Sequence, residues 1–142
     1  MTRYSALCRG LLLALAVCAP AAAPAETAAP PGAVVYFINV KDGDTVTSPF
    51  KVQFGLSGMG VAPAGVEKPN TGHHHLLIDT DMVSFDRPIP SDYNHIHLGN
   101  GQTELVLTLP RGKHTLQLLL GDHAHLAHEP PVMSKKITIY VR

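Results

Sequence analysis

Apolar residues along this chain recur with a period of two, not 3.6. Phe50, Val52, Phe54 and Leu56 alternate with Lys51, Gln53, Gly55 and Ser57. Thr103, Leu105, Leu107 and Leu109 repeat the pattern, as do His114, Leu116, Leu118 and Leu120, and Ile137, Ile139 and Val141 close the series. Alternation of this kind turns one side of an extended segment toward a core and the other toward water. Two denser apolar stretches, 33–40 and 73–80, read as strands as well, and 95–98 as a short one. Lys41-Asp42-Gly43-Asp44, Gly99-Asn100-Gly101-Gln102 and Pro110-Arg111-Gly112-Lys113 are turn sequences between them. Seven short strands with Gly/Pro turns and no helical period predict an all-β fold, an antiparallel immunoglobulin-like β-sandwich.

That strand order carries a geometric consequence. In an immunoglobulin-like sandwich the connections between strands two and three, four and five, and six and seven lie at one end. Here these are 58–72, 99–102 and 122–134, and each adjoins or carries histidines. His73-His74-His75 follows the first, His95-Ile96-His97 precedes the second, and His123, His125 and His128 sit in the third. The topology therefore predicts that segments far apart in sequence bring imidazoles together.

The first residues belong to a different class of sequence. Arg3 and Arg9 precede Leu11-Leu12-Leu13-Ala14-Leu15-Ala16-Val17, an apolar run too short to span a bilayer, and Ala23-Pro24-Ala25 suits signal peptidase. The expected organisation is a signal peptide over 1–25, a disordered Ala/Pro-rich lead-in over 26–32, and one sandwich domain over 33–142. Cleavage would place the domain in the periplasm or outside the cell. It would also remove Cys8 and Cys18, leaving a chain without thiols whose metal ligands must be His, Met, carboxylate or backbone oxygen. A lipidated Cys18 is disfavoured by the bulky Val17 before it. Of eleven basic side chains two go with the leader, so nine remain against eleven acidic ones, a net charge near −2. That balance predicts neither nucleic-acid binding nor attraction to an anionic membrane, and no later segment predicts a membrane span.

Imidazole is the commonest protein metal ligand, and two histidines at i and i+2 on a strand share a face. His73 and His75 are such a pair, and His95 and His97 a second. With His123 and His125 from the loop they form the candidate ligand set. Met59, between two glycines in the long 58–72 connection, is a further candidate whose thioether would favour copper(I). The plainer reading of a buried histidine is a hydrogen-bonded core residue. It is the reading taken for His74, which shares its face with Leu76 and Ile78, and for His114, a corner residue after the Pro110 turn. His128 is the weakest of the loop histidines as a ligand. No paired carboxylates, nucleophile elbow or thiol supports hydrolytic chemistry.

A resemblance adds to this. Gly58-Met59-Gly60-Val61-Ala62-Pro63-Ala64-Gly65, Gly72-His73-His74-His75-Leu76-Leu77-Ile78-Asp79, His95-Ile96-His97 with Gly101-Gln102-Thr103-Glu104, Gly112-Lys113-His114-Thr115-Leu116-Gln117, and Gly121-Asp122-His123 through Pro130-Pro131-Val132 resemble the secreted bacterial domain of unknown function 4399. The resemblance implies an exported all-β domain and brings no settled activity or ligand. From the residues themselves the leading expectation is a metal-binding module, for copper first and zinc second. The alternatives are a cupin-like mononuclear metalloenzyme, for which no carboxylate stands at the usual spacing after His75, and an adhesion or structural sandwich whose histidines form a hydrogen-bond network. Since imidazolium does not bind metal, affinity is expected to fall as pH drops through about 6.5.

Overall fold

The computed structural model describes residues 27–82 and 84–142. The expected leader, with both cysteines, lies outside them. All regular structure among the described residues is strand: β1 Val34–Phe37, β2 Thr45–Val46, β3 Phe50–Ser57, β4 Gly60–Val61, β5 Thr71–Ile78, β6 His95–His97, β7 Glu104–Leu107, β8 Gly112–Gly121 and β9 Ile137–Val141. The seven expected strands are present, joined by two-residue β2 and β4. β1, β3 and β7 form one antiparallel sheet in the order β1-β3-β7. The other sheet runs β2-β9-β8-β5-β4, with β6 also paired to β5. The short strands β2 and β4 join it in parallel.

Side-chain parity builds the core between the sheets. Leu76 pairs with Leu118 and Ile78 with Leu116, so both strands turn leucine and isoleucine inward. These residues, with Leu120 and Ile139, meet Val35, Val52, Phe54 and Leu107 from the three-stranded sheet. Burial of this many branched side chains is the main favourable term in the fold, at about 1.5–3 kcal/mol for each one fully buried.

The other face of β5 is covered as well. Leu77, Leu119, Ile89 and Ala127 form a second apolar cluster, with Met82, Phe85 and Met133 packed against it. The segments 79–94 and 122–136 supply the cover. Asn94 closes the first by donating from Nδ2 to the Ile78 carbonyl and accepting the Ile78 N–H, at 2.7 and 2.8 Å. β5 is consequently buried from Gly72 through Ile78 on both faces.

One feature departs from expectation, and the sequence leaves a second open: the strand around His95, which does not extend the sheet containing β7. It pairs with β5, setting Ile96 opposite Leu76 and His97 opposite His75. The physical reason is parity: Ile96 adds to the main core from this position. Nor is the stretch expected to be a disordered lead-in free of the domain. From Thr27 on it lies along the loop before β9, where Ala29 donates its N–H to the Glu129 carbonyl (2.8 Å) and Glu129 donates to the Thr27 carbonyl (3.0 Å).

The three histidine-bearing connections meet at one end. Ala64 donates its N–H to the Gly99 carbonyl at 2.8 Å, and Gly65 donates to the His123 carbonyl at 2.9 Å. His114 stands elsewhere, at the turn into β8. Its Nδ1 lies 2.6 Å from Asp79 Oδ2 and its Nε2 2.9 Å from the Pro110 carbonyl, while Asp79 Oδ1 accepts the Thr115 N–H at 2.7 Å. This clamp ties the β5 exit to the β8 start. His114→Ala should therefore lower stability by about 1–3 kcal/mol, because it removes two hydrogen bonds, one of them to a carboxylate. Urea titration of the metal-free protein measures this; an unchanged midpoint would remove His114 from the structural role.

Candidate metal centre

β5 begins Gly72-His73-His74-His75, and strand parity sends the middle imidazole one way and its neighbours the other. His73 and His75 point to the outer face, away from the core. Both are 0 % exposed, so they do not sit at an open mouth of the sandwich: the covering loops close over them. The register of β6 places His97 opposite His75 on the same face. The fourth ring, His125, comes down from the 122–136 loop. Ring centroids of His73 lie 4.8 Å from His75, 5.0 Å from His97 and 5.1 Å from His125. Those of His97 lie 5.1 Å from His75 and 4.8 Å from His125.

The nitrogens converge with the rings. His73, His97 and His125 each offer a ring nitrogen within 4.8 Å of the others. His75 Nε2 lies 3.0 Å from His73 Nε2. Two nitrogens bound to one ion at about 2.0–2.1 Å each stand about 3.3–3.4 Å apart at the tetrahedral angle of zinc and about 2.8–3.0 Å apart at the right angle of a square-planar copper(II) site. The His73–His75 spacing thus suits either an N–H···N hydrogen bond or a shared cation, and the His97 and His125 nitrogens stand within 4.8 Å of a His73 nitrogen. The chemistry of the set fits a transition metal: four imidazoles, no thiolate, and a neighbouring carboxylate, Asp122, whose charge acts on His73.

Asp122 is the residue that shapes the loop. It is buried, and its Oδ1 accepts the backbone N–H groups of Ala124 (2.8 Å) and Leu126 (2.9 Å). Its Oδ2 accepts the Thr27 hydroxyl at 2.7 Å, and its carbonyl accepts the His125 N–H at 3.0 Å. Between those anchored residues His125 has φ 67°, a left-handed conformation costing a non-glycine residue roughly 1–2 kcal/mol. The His125 carbonyl in turn accepts the Ile89 N–H at 2.7 Å, which fastens one covering loop to the other. Two glycines leave room for the rings. A Cβ on Gly99 would occupy the His97 ring, and one on Gly121 would come within 2.8 Å of His75 Nε2.

Burial controls protonation. His73 is lowered to about 4, first by burial and then by the charges of His125 and His97, with Asp122 opposing. His75 is lowered to about 2, again by burial first, then by the other rings. His97 is lowered by burial and by His125. His73 and His75 therefore stay neutral, the form that binds metal, well below the pH at which a free histidine is protonated.

The remaining candidates lie outside this group. His95, expected as a ligand, has Nδ1 2.9 Å from Asp92 Oδ1. His123 lines a separate cavity of about 320 Å³ with Thr27, Glu67, Lys68 and Asn70, and the structure does not bring it to the other rings. Met59 packs on the main core. His128 is buried with its two nitrogens 3.4 and 3.3 Å from the Leu120 and Thr71 carbonyls. His74 faces inward as expected, stacked at 5.3 Å on Phe54, and burial lowers its pKa. Contrary to expectation, neither of its ring nitrogens has a hydrogen-bond partner among the described residues; the Gln102 backbone offsets its burial only in part. The sequence reading missed the roles of Asp122, Gly99 and Gly121. Asp122, two and four residues before the amides it binds, follows a turn pattern visible in the sequence.

Residues 52–142 match the family described as Domain of unknown function (DUF4399), and the chain belongs to that family. No curated protein matches it. Among solved structures it is similar to the endo-beta-1,4-mannanase from Thermotoga petrophila, at 18% identity and a TM-score of 0.46, over 78% of this chain and 20% of that one. The chain thus spans about a fifth of that enzyme's length, and the likeness carries no inference about activity. No helix among the described residues is long and apolar enough to cross a membrane.

The protonation pattern predicts the acid stability of the metal-free protein. The unfolded chain binds a proton at each histidine near 6.5, while folded His73 refuses one until about 4. Between those values the unfolded state binds more protons, so stability rises with pH and is lost on acidification. At pH 5 His73 alone should cost about 2 kcal/mol relative to pH 7.5. Urea midpoints at the two pH values test this; equal midpoints would mean that the rings are not buried as described.

Proposed function

We propose that this protein binds one transition-metal ion through His73, His75, His97 and His125, as an exported module that buffers, carries or delivers the ion. The observation that carries the proposal is the convergence of ring nitrogens from two strands and a loop, held by a shaped turn. Copper ranks ahead of zinc. An all-imidazole set suits both, and divalent copper binds nitrogen sites more tightly than its neighbours in the series. Since Met59 packs on the core, the proposed site has no sulfur, which favours copper(II) over copper(I). The leader-like pattern of residues 1–25 and the absence of cysteine from the chain after it support a periplasmic or secreted setting, where such a site would meet its ion.

The pH dependence moves with the site. Proton competition at His73 begins near 4, not 6.5, so that ring should stay available to the ion in mildly acidic surroundings.

A second reading rests on the His73–His75 nitrogen contact at 3.0 Å, which is also a plausible hydrogen bond. The two readings separate in the double variant His73→Leu/His75→Leu. Leucine approximates the ring volume and removes buried nitrogens that lack partners. Replacing such groups by apolar ones is near neutral or stabilising. The metal reading predicts protein purified untagged from the periplasm with about one bound ion per chain by elemental analysis. It predicts a double variant with no bound ion and an undiminished thermal midpoint in the metal-free state. A double variant that keeps its metal but melts much lower would establish the hydrogen-bond network instead.

A further inference from the structure

Four rings on the outer face of β5 and β6 each keep one buried nitrogen without a hydrogen-bond partner among the described residues: His73 Nδ1, His75 Nδ1, His95 Nε2 and His97 Nε2. Such atoms are rare and each needs an explanation. For two of them the proton inventory supplies one. Asp92 Oδ1 lies 2.9 Å from His95 Nδ1 and also accepts the backbone N–H groups of Asn94 and His95, at 2.9 Å each. A carboxylate can only accept, so neutral His95 carries its proton on Nδ1 and presents a bare lone pair at Nε2. His75 is the converse. Its Nε2 faces His73 and the proposed ion. With the ion on Nε2, the ring proton must be on Nδ1. One ring is a buried acceptor lacking a donor, the other a buried donor lacking an acceptor.

Their placement allows them to meet. His75 pairs with His97 and Leu77 with His95, so His75 and His95 are diagonal neighbours on one face. Diagonal positions of an antiparallel pair lie about 7–8 Å apart, within reach of long side chains. We infer that His95 is a positioning residue whose Nε2 accepts the His75 Nδ1–H through one bridging water, completing a chain from Asp92 through His95 to the ligand His75. This rests on the metal reading above. A ligating imidazole ordinarily donates its second N–H to such a partner, which fixes its tautomer and orientation, and loss of that partner costs about 10–100-fold in metal affinity. The chain also assigns Asp92, an exposed carboxylate, the task of setting the His95 tautomer.

Zinc affinity by competition with a chromophoric chelator, and the visible spectrum of the cobalt(II) form, test this in the parent, His95→Ala, His95→Gln and Asp92→Asn. The expected result is one ion per chain throughout, with affinity about 10–100-fold weaker in His95→Ala. His95→Gln should recover much of the loss, because its amide oxygen can accept the same hydrogen. Asp92→Asn should weaken binding less than His95→Ala, because its amide oxygen can keep the two backbone N–H groups and the His95 Nδ1 proton while the carboxylate charge is lost. The cobalt spectrum should keep the parent's band positions and intensity in every variant, since the inner ligands are the same. Affinity in His95→Ala within about twofold of the parent would overturn the inference and leave the site intact. A changed cobalt spectrum, with no rescue by glutamine, would overturn it by making His95 a ligand. A parent that binds neither ion would instead remove the metal reading itself.

Discussion

The structure depends on burying β5 on both faces. Its inward face meets an ordinary core of leucine, isoleucine, valine and phenylalanine. Its outward face is covered by two loops that bring their own apolar residues, Ile89 and Ala127, to Leu77 and Leu119. Between those loops and the sheet the chain places imidazoles where leucine would pack without polar atoms to satisfy. A buried polar group without a partner costs about 1–3 kcal/mol. Several such nitrogens on one face are therefore an expense that the fold itself does not require, and the proposed metal site gives the rings that carry them a reason.

Stability and the site pull in opposite directions at these positions. The left-handed backbone at His125 and the depressed protonation of His73 and His75 all favour a metal-ready arrangement over the most stable metal-free one. The surrounding structure holds the arrangement in place: Asp122 ties the loop turn, Thr27 ties Asp122, and the Ile89–His125 backbone bond fastens the two covers together. Conformations that are unfavourable locally persist where neighbours over-determine them, and functional sites are where they collect.

Much of this was legible in the sequence, for identifiable reasons. Period-two alternation in 50–57 and 114–120 reports a sheet face directly, so the strands and the sandwich followed. The order of turns was enough to place the three histidine-bearing connections together. What could not be read was which way the strand at 95–97 would pair. Three residues have too little apolar pattern to choose between sheets, and the choice was made by Ile96 reaching the core opposite Leu76. That pairing brought His97 beside His75 and left His95 beside Asp92, although the two look equivalent as a His-x-His pair. The burial of His73 and His75 was missed because it comes from loops, whose paths have no period to read. The loss of Met59 and His123 from the group has the same origin, since a side chain in a loop can point into a core or a flanking cavity without any sign in the sequence.

X-ray absorption at the metal edge, on protein loaded with one equivalent of copper(II) or zinc(II), bears most directly on the central claim. It reports the atoms bound to the ion, independently of affinity or stability. Four imidazoles predict a shell of about four nitrogen scatterers near 2.0 Å, with the outer-ring signals of histidine and no sulfur. A sulfur scatterer near 2.3 Å, or a shell dominated by oxygen without imidazole outer signals, would contradict the assignment of the site.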